Sequence, residues 1–371
     1  MRRREAVGLI AAGAGAGALY LAFFTAQPRL EQRPSETTTR TQTTSVVETI
    51  ITSSPTAAQT TQTPTTTTAA TPATPTTTTP AQPRWVVETP LPVELTEVAM
   101  VSSENSLYLA GGLKANGDAS AGFFSYSVET KRWRELTPLP APLHHVGLVY
   151  LDGVVYLLGG YDRGWRALRS CYGYNVRRDV WEELTPLPAA RGAFTALAVN
   201  GLVYAVGGAR NNVPLTANEA YDPAANEWKQ RSPMRVAREH LASGAVDGKI
   251  YVVGGRVVSG NTMTNLDVVE EYDVEANIWR VRRPMPTARS GIAAAVVDGW
   301  VYVCGGESMV KTFSEVEAFS PASDRWVKAA DLPTARHGLG VAAVGRRIYT
   351  VAGGPSPGLT VSSVNEVLLL G

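Results

Sequence analysis

The sequence predicts an all-β fold built from six copies of one four-stranded unit, and three observations predict it. A Trp is followed 23 positions later by a Tyr six times, at Trp85/Tyr108, Trp133/Tyr156, Trp181/Tyr204, Trp228/Tyr251, Trp279/Tyr302 and Trp326/Tyr349. A fixed interval at that count marks a repeat array, in which one unit buries its apolar face only against its neighbours. Asp152-Gly153, Asn200-Gly201, Asp247-Gly248 and Asp298-Gly299 each stand just before the Tyr of their copy. Such pairs suit a type I′ hairpin turn, which needs positive φ at both central residues. Finally, an aromatic residue stands seven positions before each later Trp, at Tyr126, Tyr174, Tyr221, Tyr272 and Phe319. Four-stranded blades in radial repetition make a β-propeller, here with six blades.

Each element of the repeat has a physical reason. In the third copy the spacing places strand D at 181–184, a turn at Thr185-Pro186-Leu187-Pro188, strand A at 193–199, strand B at 202–206 and strand C at 218–221. Strand A is rich in small residues, as in Gly291-Ile292-Ala293-Ala294-Ala295 and Gly338-Leu339-Gly340, which suits an innermost strand crowded around an axis. The Gly-Gly pair after strand B permits torsions and backbone approach that a side chain would block. The recurring Trp and Tyr offer each neighbour a large apolar contact with a polar edge to satisfy. The array opens with a strand D at 85–88 and ends with a strand C at about 365–369, so the sixth unit lacks its own strand D. Pairing the two ends completes it and protects an open edge.

Two segments precede the propeller at 85–371. Residues 1–27 hold Arg2-Arg3-Arg4 and then 21 uncharged residues, 6–26, enough to cross a bilayer as a transmembrane helix. The basic start predicts a cytoplasmic N-terminus and an extracytoplasmic propeller on a single-pass cell-membrane anchor. The alternative is a signal segment cleaved near Thr25-Ala26-Gln27, which leaves a secreted protein. Residues 28–84 are Thr/Pro-rich, and 56–83 carries no charge. Such a stretch buries too little apolar surface to offset its ordering entropy and reads as a disordered, stiffish stalk. Its composition is also that of O-glycosylated stalks.

Composition narrows the function. The net charge is +1 and no basic stripe occurs, which argues against nucleic acid. Two cysteines, Cys171 and Cys304, are too few for a disulfide framework and read as buried small hydrophobes. His144, His145, His240 and His337, the four histidines of the chain, fall on blades 2, 4 and 6. That separation predicts no shared metal site. Neither Gly-x-Ser-x-Gly nor His-Glu-x-x-His is present, and no cofactor is expected.

Length variation marks the functional face. The gap from the strand B Tyr to the strand C aromatic is 18, 18, 17, 21 and 17 residues, whereas the other intervals are constant. Loops vary where a scaffold carries binding. The B–C loops contain Tyr161-Asp162-Arg163-Gly164-Trp165, Arg210-Asn211-Asn212 and 256–264, so Tyr161, Trp165, Arg210 and Arg256 are binding candidates. Trp165 reads either as packing against an adjacent loop or as an exposed platform for a sugar or peptide. Thirteen residues before each strand B Tyr, the first strands of the blades start at Leu95, Leu143, Arg191, Arg238, Arg289 and Arg336; the next position reads Thr96, His144, Gly192, Glu239, Ser290 and His337. These should rim one mouth of the channel. Arg191, Arg238, Arg289 and Arg336 form a positive arc suited to a carboxylate or phosphate, with Glu239 neutralising part of it and His144 and His337 beside it.

The Gly-Gly pairs, Tyr221-Asp222-Pro223 followed by Trp228, and the Pro-x-x-Arg before strand A resemble kelch repeats, over 287 of 371 residues. Ala352-Gly353 in place of Gly-Gly and Glu104-Asn105 at the first A–B turn depart from the pattern. The resemblance implies a non-catalytic binding module for a protein or glycan ligand, with an anionic ligand expected from the arc. It also implies a structural reading of the arginines, as ties between neighbouring turns. The alternative is a sugar-modifying enzyme resembling kelch-type sialic acid mutarotases, in which the four arginines hold a carboxylate and Glu239 or a His moves the proton. Kelch-type copper oxidases need a Cys–Tyr pair and clustered His, which the placement of Cys171 and Cys304 on opposite blades does not suit.

Overall fold

The computed structural model describes residues 82–259 and 262–371. They form six antiparallel four-stranded sheets arranged as a six-bladed propeller, with two further two-stranded hairpins. In blade 3 the strands run outward from the axis as Thr195–Val199 (A), Leu202–Val206 (B), Asn218–Asp222 (C) and Glu227–Gln230 (D). Strand A begins two residues later than its composition suggests, because Ala193 takes φ +53° and cannot enter the ladder. Both residues of Asp152-Gly153, Asn200-Gly201, Asp247-Gly248 and Asp298-Gly299 have positive φ, as a type I′ turn requires.

The two ends of the repeat array close the ring. Arg84–Val87 pairs with Asn365–Leu369, with Trp85 opposite Leu368, so the first strand completes the sixth blade. Among the described residues no helix is long and apolar enough to cross a membrane. The expected span at 6–26 and the stalk up to residue 81 lie outside the described residues.

Adjacent blades are held together in two ways. Apolar clusters fill the gaps between them; one joins Tyr204 and Val206 of blade 3 to Ile250 and Tyr272 of blade 4. Each repeat Trp also donates its indole N–H to a carbonyl at the end of the previous blade's strand D. The pairs are Trp133 to Thr89, Trp181 to Thr137, Trp228 to Thr185, Trp279 to Ser232, Trp326 to Arg283 and Trp85 to Ala330, at 2.7–3.1 Å. The Trp therefore covers apolar surface with its ring and satisfies its N–H across the blade boundary. Cys171 and Cys304 are unpaired and buried, and burial pushes each thiol up to about 12.

Two outcomes follow from this packing. A chain starting at Val93 should melt several degrees below one starting at Gln82, since it loses a four-residue ladder and Trp85. The loss approaches the roughly 3 kcal/mol of a large apolar truncation, at about 2 °C per kcal/mol for a domain of this size. Equal melting temperatures by calorimetry would show that the end strands do not close the ring. The two thiols should resist a thiol-titrating reagent in the native protein and react at two equivalents in denaturant; rapid labelling without denaturant would contradict their burial.

Candidate functional site

The mouth at the start of the strands A is built from three successive positions in each blade. The first position comprises Leu95, Leu143, Arg191, Arg238, Arg289 and Arg336. The four arginines were expected to open onto the mouth as a cationic arc, and the structure corrects this: each side chain is 0% exposed. Each turns into its own blade and pairs with a strand C carboxylate, Arg191 with Glu219, Arg238 with Glu270, Arg289 with Glu317 and Arg336 with Glu366. The guanidinium groups also donate to carbonyls in strand B or just after it, as Arg238 does to Val252, Arg289 to Val303 and Gly305, and Arg336 to Ala352. Burial lowers the pKa of Arg191, Arg238 and Arg336, and the partner carboxylates act against that shift. Where the first position is Leu, an aromatic residue stands in place of the Glu. Leu95 shares a core cluster with Phe124, and Leu143 shares one with Tyr172.

The second position bridges to the residue that follows Gly-Gly, in the pairs Thr96/Leu113, His144/Tyr161, Gly192/Ala209, Glu239/Arg256, Ser290/Glu307 and His337/Gly354. The third position, Glu97, His145, Ala193, His240, Gly291 and Gly338, has φ between +52° and +64° in every blade. These six residues form a hydrogen-bonded ring around the axis. His145 donates to Glu97, Ala193 to His145, His240 to Ala193, Gly291 to His240 and Gly338 to Gly291, and Val98 closes the circuit onto Gly338, all at 2.8–3.2 Å.

The tight ring overturns the expectation that the histidines lie too far apart to share a ligand. His145 Nε2 is 2.9 Å from His240 Nε2 across the small Ala193, and 3.1 Å from a Glu97 carboxylate oxygen. His144 Nδ1 is 2.6 Å from His145 Nδ1, and His337 Nδ1 is 3.3 Å from Glu97. Arg256, an expected loop contact, is buried here instead. It donates to Glu239 at 3.0 Å, to Glu307 at 2.9 Å and to His240 at 3.0 Å. Burial acts to raise Glu239, but His240 and Arg256 outweigh it and hold it at about 2. Burial likewise acts on Glu97, which His145 chiefly drives well below the ordinary range. His337 goes up to about 9, because Glu307 and Glu97 outweigh its burial. His144 falls to about 3 through burial and the neighbouring His145, and burial with Arg256 lowers His240.

The loops above the ring divide the candidates. Tyr161 is buried, and Trp165 is half-buried rather than an open platform. Its ring lies edge-on to His144 at 4.6 Å and packs beside His145 and Tyr161 at 5.4 and 5.7 Å. Arg210 is exposed on the hairpin Ala209–Arg210/Val213–Pro214. Nearby loops also expose Arg163, Lys311, Val213 (60%), Met309 (47%) and Val310 (86%), none of which the repeat pattern singled out. Glu97 and Glu307 were missed as well, and His145 was weighed only as one of four separated histidines. The signal for Glu97 and His145 was available one residue beyond Thr96 and His144.

The Arg–Glu pairs yield a test. Arg238→Ala should lower the urea midpoint by the equivalent of about 3–5 kcal/mol, because Glu270 is left buried and unpaired. Arg238→Leu with Glu270→Phe, which copies the Leu95/Phe124 arrangement, should recover most of that loss. An unchanged midpoint for Arg238→Ala would mean that the arginine is not structural.

Comparison with protein-family models matches residues 61–255 to the KLHDC2/KLHL20/DRC7 Kelch-repeats domain. Residues 237–286 and 288–333 each match the Kelch motif.

Proposed function

The chain belongs to the kelch-repeat family, and from that premise we propose that it is a non-catalytic binding module taking a protein ligand on its B–C loop face. Kelch propellers are typical protein-binding modules, and the exposed loop tips here suit that use. The observation that carries the reading is the exposure of Val213, Met309 and Val310 beside Arg210 and Lys311. Apolar side chains held in water at loop tips gain from a partner's surface, and cations around them favour an acidic one. The anionic partner expected from the mouth arginines is thus proposed again, with Arg163, Arg210 and Lys311 as its contacts. The run at 6–26 and the Thr/Pro stalk support display outside the cytoplasm at a membrane. A glycan ligand has less support, because Trp165 already packs on histidines.

One contact favours an enzyme instead: Glu239 and His240 set a carboxylate beside an imidazole, with 3.4 Å between a Glu239 oxygen and His240 Nδ1. The arginines meant to hold a substrate carboxylate are occupied by Glu219, Glu270, Glu317 and Glu366, which counts against that reading.

A photo-crosslinking residue at Val310 or Val213, in the full chain within its own cell envelope, should capture one discrete partner. The same residue at Asp152 or Asp247, on the A–B turns of the opposite face, should not. Capture only from the A–B turns would place binding on the wrong side, and capture from neither, with mutarotation of sialic acid abolished by Glu239→Gln, would favour the enzyme.

A further inference from the structure

We propose that Glu97, His145 and His240 bind one divalent transition-metal ion on the propeller axis, at the inner end of the central channel. All four histidines of the 371-residue chain meet at this point, although they come from three separate blades. One donor atom each from Glu97, His145 and His240 lies within 4.8 Å of the others. Two imidazoles and one carboxylate form a set suited to zinc, copper or nickel rather than to magnesium or calcium.

Hydrogen-bond accounting shows why a cation belongs there. His144 Nε2 faces the carbonyl of Asp162 at 3.2 Å, so that nitrogen is the donor and His144 Nδ1 is free to accept. His145 Nδ1, 2.6 Å away, is then the donor to His144, and the other nitrogen of His145, Nε2, is the one turned toward His240 and Glu97. His240 Nε2 faces Arg256 Nη2 at 3.0 Å; a guanidinium only donates, so this nitrogen also presents a lone pair. The Glu97 carboxylate accepts only. Three ligand atoms therefore converge, with His240 Nε2 2.9 Å and a Glu97 oxygen 3.1 Å from His145 Nε2, and a cation between them would be held by all three.

The cluster is rich in carboxylates: Glu97, Glu239 and Glu307 are all buried around the ring, Glu239 and Glu307 both bind Arg256, and the Glu97 carboxylate faces the imidazoles of His145 and His337. An ion held by His240 Nε2 takes the acceptor from Arg256 Nη2, but Arg256 stays fixed through Glu239 and Glu307. Access comes through the channel, a cavity of about 160 Å³ lined by Glu97, His145 and His240 at the ring and by small residues such as Ala99, Ala196 and Ser243 along it. The rival occupant is a proton, shared by His145 with Glu97.

The test uses the untagged full-length protein, stripped with a chelator and titrated with Zn2+ by calorimetry. Substitution with Co2+ gives an absorption readout, and X-ray absorption of the zinc form counts imidazole ligands. The expected result is one ion per chain with two imidazoles. His145→Gln or His240→Gln should weaken binding by more than the roughly 100-fold that loss of an outer hydrogen-bond partner costs a metal site. Because no histidine lies elsewhere in the chain, imidazole ligation of the wild type reports this cluster even if a variant fails to fold. Zinc affinity equal in wild type and in a folded His145→Gln/His240→Gln variant would overturn the proposal. So would a wild-type spectrum without imidazole or no measurable binding, leaving the proton as occupant.

Discussion

The propeller depends on one contact repeated six times: the first mouth position of each blade gives its carbonyl to the backbone of the blade before it. Gly112 donates to Leu143, Gly160 to Arg191, Gly208 to Arg238, Gly255 to Arg289, Gly306 to Arg336 and Gly353 to Leu95, at 2.8–3.1 Å. The residue before each donor presses against that carbonyl. A Cβ at Gly111, Gly159 or Gly305 would stand 2.3–2.7 Å from it, a distance no side chain tolerates. Ala352 occupies the corresponding place in the sixth blade at φ +58°. The backbone strain at that alanine falls where the first and last blades of the propeller meet.

This clamp sets the radius of the mouth, and the radius determines what the third position can hold. Six residues in the left-handed region bond head to tail around the axis. Three carry long side chains, Glu97, His145 and His240, and three are Ala193, Gly291 and Gly338. The small residues are a steric requirement: a Cβ on Gly338 would lie 2.7–2.8 Å from Glu97. Polar side chains gathered at such a radius are desolvated together, and each must find its partner within the cluster.

The fold was legible in the sequence because its determinants are periodic. The Trp-to-Tyr interval, the Asn-Gly and Asp-Gly turns and the missing sixth strand D all map directly onto observed strands and the Arg84–Val87 closure. The mouth was legible only in part, since its residues act through contacts between units. Arg191, Arg238, Arg289 and Arg336 looked like a ligand-binding arc as long as only their own column was read. A Glu stands two residues before the strand C aromatic in blades 3 to 5, at Glu219, Glu270 and Glu317, and Glu366 holds the equivalent place in blade 6. Phe124 and Tyr172 take that place where the mouth residue is Leu. Reading both columns together would have placed the arginines inside the blades. The approach of His145 to His240 was hidden for a different reason: it skips a blade, and it needs both the ring radius and the small Ala193 between them.

The Arg–Glu and Leu–aromatic pairs show two chemistries filling one structural place within a single chain. A buried ion pair gains little over a well-packed apolar pair once desolvation is counted. Stability alone therefore does not explain four such pairs. What the guanidinium adds is donors: it reaches carbonyls just past strand B that no ladder partner serves, as at Gly305 and Ala352. Anchoring those carbonyls fixes where the B–C loop leaves the blade. Blades 3 to 6 thus launch their loops from an arginine-pinned base, and these include both blades whose loops expose Val213, Met309 and Val310. Under the proposed function, the buried arginines would contribute to binding through the backbone they hold, with the loop tips as the contact surface.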